Sequence, residues 1–285
     1  FFEFLDALGE RPLRESITLQ NLRDGLLPHD RLIMLLKEYL YVGGMPECVQ
    51  AFSESPDYAR VRKIQQSILR ACDADFSKHN TARFSARLRL LWNGIPAQLA
   101  KENKRFVFNA VKSGARARDF ETAIQWLLDC SMLHKVPKVS KPAAPLKHYE
   151  DFSAYKLFMH DVGLLGAMEG AAARSVLGEK TLFEEFRGAL TEQLVFQELL
   201  LQGKRPYYWA NQNSTSEIDF LIEDAELGVV PIEAKAGINL KAKSLKFFME
   251  KYESRRAYRS SAANFKESGP LIDLPLYALN LVGAI

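Results

Sequence analysis

The sequence predicts a multidomain protein of mixed α+β and α/β class. A helical bundle comes first, then three helices with a two-stranded ribbon, then an αβββαβ unit. Three observations carry this. The chain has 285 residues, about two domains at roughly 150 residues each, with three small ones open. Apolar residues recur at helical spacing through the first 75 residues and at strand spacing after about residue 205. Between these, residues 76–118 hold ten Lys and Arg against one acid, Glu102, a local charge of +9 in a chain whose total is +3. Hydrophobic residues at 47% and charged residues at 26% are the balance of a globular chain, which excludes disorder, collagen, coiled coil and a disulfide scaffold for the whole. The most apolar stretches, 32–36 and 162–168, fall far short of the roughly 18 residues a membrane span needs.

Residues 1–75 read as a helical, lid-like bundle. Asp30 is placed to cap a helix whose Leu32, Ile33, Leu35, Leu36 and Leu40 share a stripe. Tyr41-Val42-Gly43-Gly44-Met45-Pro46 ends it, and Pro46 suits the first turn of the next helix. A further helix follows Asp57, with Val61, Ile64, Ile68 and Leu69 inward. Residues 76–168 form the second unit. Ile95-Pro96 opens one helix, residues 106–111 form a second, and 119–130 a third. Residues 132–139 then read as a strand, 141–146 as a Pro-rich loop and 154–159 as a returning strand. This is the order of a winged helix-turn-helix, whose third helix presents its first residues to the major groove. Lys104, Arg105, Lys112, Arg116 and Arg118 are the expected nucleic-acid contacts, with Glu121 beside them. The alternative is a solvated basic face that touches only protein.

Residues 161–168 form a short helix and Gly170 a turn. Gly178-Glu179-Lys180-Thr181 resembles the end of a phosphate-binding loop, but Glu179 intervenes and Ala173 stands where the first glycine belongs. The sequence therefore has no Walker A loop. In residues 182–285 a long helix reaches about Gln202, with Gly203 after it. Strands are expected at 205–210, 217–222 and 229–236, then a helix at 240–252 and a strand at 256–260.

The chemistry concentrates in this last unit. Side chains alternate along a strand, so Ile218, Phe220 and Ile222 are expected on one face and Asp219 with Leu221 on the other. In Ile232-Glu233-Ala234-Lys235 the same rule sets Glu233 and Lys235 together. The preceding helix adds Glu192, with Glu198 as a rival. Clustered carboxylates persist together when protonated or metal-bound, and hard oxygens select Mg²⁺ or Mn²⁺. Such a cation beside Lys235 suits phosphodiester hydrolysis, and Lys241, Lys243, Lys246 and Lys251 would meet a nucleic-acid backbone. The alternative is a structural ion pair on an open sheet.

Glu192, Asp219 and Glu233-Ala234-Lys235 resemble the PD-(D/E)xK nuclease superfamily with its restriction-endonuclease-like core. The resemblance implies that Asp219 and Glu233 hold the metal, that Lys235 serves the water and that Glu192 assists. A wider set is similar to the C-terminal part of bacterial and archaeal AAA-type ATPases that carry domain of unknown function 4143. It comprises Phe2-Glu3-Phe4-Leu5, Tyr41-x-Gly43-Gly44-x-Pro46, Lys156-Leu157-Phe158-x-x-Asp161-Val162-Gly163-Leu164-Leu165, Glu217-Ile218-Asp219-Phe220 and Ile232-Glu233-Ala234-Lys235. In that family a P-loop domain comes first, so ATP would bind upstream. The start of this sequence, without Met or a signal-peptide pattern, reads as the interior of a longer chain.

Expected partners are nucleic acid (DNA), the upstream ATPase domain and, as an open case, further copies of the chain. Competing readings are a non-catalytic DNA-binding or regulatory module and a protein-interaction adaptor of an ATP-driven assembly. Cys48, Cys72 and Cys130 are scattered, which fits a reducing cytoplasm. His29, His79, His134, His148 and His160 show no zinc spacing. No GxSxG elbow or dinucleotide fingerprint occurs.

Overall fold

The computed structural model describes all residues except 79, 101–105, 112–113, 115, 178–183, 212–215, 238–242 and 285. Helices dominate the first half: α1 (Phe2–Ala7), α2 (Arg11–Ser16), α3 (Leu19–Arg23), α4 (His29–Val42), α5 (Pro46–Glu54), α6 (Tyr58–Lys78), α7 (Ala82–Leu99), α8 (Phe108–Val111) and α9 (Ala117–Asp129). Then come β1 (Leu133–Val139), β2 (Glu150–Met159), α10 (Val162–Met168), α11 (Ala173–Leu177) and α12 (Glu184–Leu201). The last third holds β3 (Tyr207–Ala210), β4 (Glu217–Asp224), β5 (Gly228–Ala234), α13 (Lys243–Tyr252), β6 (Ala257–Ser261), β7 (Lys266–Ser268) and β8 (Leu271–Pro275). Among the described residues no helix is long and apolar enough to cross a membrane.

The chain forms two compact units. One comprises Glu38–Lys135 and Lys156–Leu190 and is mainly helical in its described parts. Here α6 packs against α5, α7 and α10, and α7 against α9. Phe76 is fully buried and meets Trp92 and Trp126 edge-on, at ring distances of 6.1 and 5.8 Å. Pro46 stands in the first turn of α5, where a missing N–H is harmless. Thr81 caps α7 by accepting from the Phe84 amide.

Two predicted helix starts lie elsewhere. Asp30 is not a cap: α4 begins at His29, and Asp30 sits in the first turn, where its charge still favours the positive helix end. Ile95-Pro96 does not open a helix, because α7 runs through it. Pro96 removes one backbone bond, that to the Trp92 carbonyl, but Trp92, Ile95, Pro96 and Leu99 are all buried. Packing there outweighs the lost bond.

The fully buried carboxylate of Asp161 ties two glycine-containing segments of this unit together. It accepts from the Gly44 amide at 2.7 Å and from the Leu164 amide at 2.8 Å, capping α10. Gly43 has φ +77° and Gly163 lies against the backbone of Val42 and Gly43. Gln65, also fully buried, donates to the carbonyls of Tyr41 and Val42 at 2.8 and 3.0 Å.

The other unit comprises Phe1–Lys37, Val136–Tyr155 and Thr191–Ile285. Its core element is an eight-stranded mixed sheet in the order β2-β1-β3-β4-β5-β6-β8-β7. Strands β3, β4 and β5 run antiparallel to their neighbours among these three, and β5, β6 and β8 are parallel. The predicted ribbon is not a separate element. Lys138 and Val139 of β1 pair in parallel with Tyr208 and Trp209 of β3, so β1 and β2 extend the same sheet. The reason is burial: Val139 and Trp209 enter one apolar cluster with Leu146, Tyr207, Ile218, Leu221, Ala257 and, from α13, Leu245 and Phe248. An isolated two-stranded ribbon could not bury them.

That cluster corrects the predicted faces of β4. Ile218 and Leu221 share the face under α13, although strict alternation separates them. The pairing shows why. Tyr207 faces Leu221 and Trp209 faces Ile218, so β4 holds one extra residue between these pairs. The bulge falls on Asp219 and Phe220, and it re-aims the side chains around it.

Candidate functional site

The site forms where β4 and β5 run antiparallel. Phe220 pairs with Ile232, and one step beyond that pair stand Asp219 and Glu233. The Asp219 carboxylate accepts from the Ala234 amide at 2.9 Å, which fixes it to the end of β5. Lys235 follows directly, and its own amide donates to Ser260 of β6 at 2.8 Å. The Lys235 ammonium sits 2.5 Å from Glu233 Oε1; the Glu233 side chain is 7% exposed and that of Lys235 32%.

Burial works against the charge of Lys235. Glu233, then Asp219 and Glu192, outweigh it and hold the ammonium above the ordinary lysine value. One lysine thus feels all three carboxylates singled out in the sequence. Glu192 is itself buried on α12. Glu198, two turns on, accepts from the Phe1 nitrogen at 3.0 Å.

A pH dependence follows. Because the folded value of Lys235 is raised, its ion pair contributes stability below the ordinary value of 10.5 and loses it as pH rises through the folded value. The stability difference between wild type and Lys235→Met should therefore be constant near neutrality and shrink above about pH 10.5. Urea titrations of both proteins across pH 7–11.5 check this; a difference that does not shrink rules it out.

Two charged residues of this face carry no motif. Across the parallel strands Glu233 neighbours Arg259, and Arg259 neighbours Asp273. Arg259 Nε donates to Asp273 Oδ1 at 2.7 Å, with side chains 13% and 4% exposed. Asp219, Glu233, Arg259 and Asp273 thus form a row across four strands. Arg259 falls in the strand expected at 256–260 without any motif, and Asp273 lies in β8, which has no strand signature. Asp273 interrupts its apolar run and Pro270 and Pro275 bracket it. An acid within an otherwise apolar pentapeptide was the one available signal.

Among the described residues, no three His, Cys, Asp or Glu side chains stand together as a metal-holding group. The hard oxygen donors that lie abreast are the pair Asp219 and Glu233.

The expected nucleic-acid contacts divide. Lys104, Arg105, Lys112 and Lys241 lie outside the described residues. Lys243 is exposed at the start of α13. Arg116 and Arg118 are exposed at the start of α9, where the Asp119 carboxylate accepts from the Arg116 amide at 2.8 Å. Beyond that turn the exposed face of α9 carries Glu121, Thr122, Gln125 and Asp129, so its basic character is confined to the first turn. Arg89, part of the same basic run, is engaged by Asp73 at 2.8 Å and by Ser77 at 2.6 Å.

These elements fall within two family matches. The chain belongs to the family described as domain of unknown function DUF8612, which matches residues 33–175, half of its length. Residues 187–275 match a second family, domain of unknown function DUF4143, as the sequence resemblance leads one to expect. That stretch contains Glu192, Asp219, Glu233, Lys235, Arg259 and Asp273. No curated protein and no solved structure matches the chain.

Proposed function

We propose that this chain is the nucleic-acid-facing portion of an AAA-type ATPase and that residues 182–285 form a nuclease-like domain that cleaves phosphodiester bonds with Mg²⁺ or Mn²⁺. Asp219 and Glu233 hold the metal, Lys235 neutralises charge that develops on the phosphate, and Glu192 assists from α12. The helical stretch 76–130 meets DNA through Arg116 and Arg118 at the start of α9, with Lys104, Arg105, Lys112, Lys241 and Lys243 as further contacts. In this reading ATP binds a domain upstream, as the resemblance to AAA-type ATPases implies.

The observation that carries the reading is the hairpin of β4 and β5, which brings Asp219, Glu233 and Lys235 to one point. Paired carboxylates suit a hard divalent cation, and Mg²⁺ commonly takes one or two carboxylates and fills its remaining positions with water and phosphate oxygens. When bound, the ion would lower the pKa of a coordinated water. The carboxylates around it hold the Lys235 ammonium above its ordinary value against burial, which suits an electrostatic role toward the phosphate.

A second reading has its own support. The 2.5 Å Glu233–Lys235 pair, and no three-ligand group among the described residues, also suit a non-catalytic DNA-binding module or adaptor built on the same fold. Calorimetry with Mn²⁺ separates the two, comparing wild type with Asp219→Ala and Glu233→Ala, alongside plasmid cleavage by wild type and Lys235→Ala. The nuclease reading expects binding that both carboxylate variants abolish, and cleavage that Lys235→Ala lowers at least about a hundredfold. Wild type without Mn²⁺ binding, or Lys235→Ala cleaving as well as wild type, sinks it. DNA binding with a steep salt dependence and no cleavage then identifies the module.

A further inference from the structure

We propose that Arg259 is a phosphate-binding residue of this site and that Asp273 is its positioning residue. The proposal rests on the reading that the Asp219–Glu233 site accepts a phosphodiester.

The strand register supplies the placement. Arg259 is the Cα neighbour of Glu233, and partners in a parallel pair point to the same face. It therefore stands one strand away from the proposed metal ligand, about 4.8 Å in backbone spacing. Along the row Asp219, Glu233, Arg259, Asp273 it is the one cation, and Lys235, two residues past Glu233, is the other cation of the site. A guanidinium is charged at every working pH and presents a rigid planar fork suited to phosphate oxygens.

Asp273 has the features of a positioning group. It is 4% exposed, it lies on the next strand, and its Oδ1 accepts from Arg259 Nε at 2.7 Å. Holding Nε fixes the plane of the fork. The Arg259 side chain retains 13% exposure, so the pair is not sealed into the core. A tie serving only to join β6 to β8 would contribute stability alone. A positioned fork would also contribute to binding a small phosphodiester.

The test uses the whole chain without divalent ions, and the dinucleotide d(TpT) as probe, which is too small to reach distant basic surfaces. In ¹⁵N-labelled protein, the Arg259 Nε–H signal is identified by its loss in Arg259→Lys, and the Ala234 and Lys235 amides report on the carboxylate pair. The proposal expects d(TpT) to shift all three. Arg259→Lys, which keeps the charge and loses the fork, should weaken binding about tenfold. Asp273→Asn should weaken it several-fold although it removes a negative charge, which simple electrostatics would make tighter. Thermal melts confirm that each variant is folded, and the wild-type Nε–H signal needs no variant of Asp273. If the amides shift while Arg259 is silent, or if Asp273→Asn binds more tightly, the pair is a structural tie and the proposal falls while the site reading stands. If no signal moves, the proposal falls, and the Mn²⁺ calorimetry alone decides the site reading.

Discussion

Gly163→Ala is expected to destabilise the protein by about 3 kcal/mol or more, a large part of the roughly 5–15 kcal/mol that a folded domain has. A Cβ at Gly163 would lie 2.6 Å from the Val42 carbonyl oxygen and 2.7 Å from both Cα and N of Gly43. All three are backbone atoms, so no side chain can turn away. The α4–α5 connection would have to shift, and Asp161 would lose the geometry in which it accepts from Gly44 and Leu164. Gly43→Ala should be comparably damaging: φ is +77° and the added carbon would stand 2.4 Å from an Asp161 oxygen. Gly188→Ala is the control, since nothing lies within 4 Å of its added carbon inside α12. It should raise stability by about 0.5–1 kcal/mol through helix propensity. Guanidinium unfolding midpoints at constant slope measure all three. A loss under about 1 kcal/mol for Gly163→Ala would show that the segment gives way easily.

Phe76→Ala is expected to cost about 3–5 kcal/mol, the usual range for emptying a buried phenyl site. The ring is fully buried and meets two tryptophans edge-on, one on α7 and one on α9, each contact adding about 0.5–1.5 kcal/mol beyond burial. Removing it leaves the α6–α7–α9 packing without its central piece. Two of the three tryptophans of the chain, Trp92 and Trp126, flank it. Near-ultraviolet circular dichroism should therefore weaken even where the variant remains folded. An unchanged tryptophan signal with a loss below about 1 kcal/mol would mean that the cavity collapses without strain.

Periodicity made most elements legible. The spacing of Val61, Ile64, Ile68 and Leu69 marks α6, and Tyr207 to Trp209 and Ile218 to Ile222 mark β3 and β4. Local rules also led to Asp219, Glu233 and Lys235, because one hairpin with its register carries the whole juxtaposition. What local rules could not see depends on distant partners. Whether Lys138 and Val139 bend back as a ribbon or pair with Tyr208 and Trp209 is decided by burial against α13, some hundred residues later. The bulge at Asp219 is likewise a property of two strands and not of one. Pro96 reads as a helix start on propensity, yet its burial with Trp92 and Ile95 overrides the rule. Arg259 and Asp273 stayed hidden because only a parallel pairing shows that they share a face with Glu233.

The parallel pairing of β1 with β3 also bears on how this chain must fold. It joins Val139 to Trp209 and so closes a loop of about seventy residues. Such closures are slow, because their entropy is lost before the contact rewards it. Until they form, Tyr207, Tyr208 and Trp209 present an apolar strand with an open row of amides and carbonyls. A fragment that begins after β2 would keep that edge bare permanently. During synthesis the last third of the chain therefore depends on β1 being ready to meet it, and delay at that step favours association over folding.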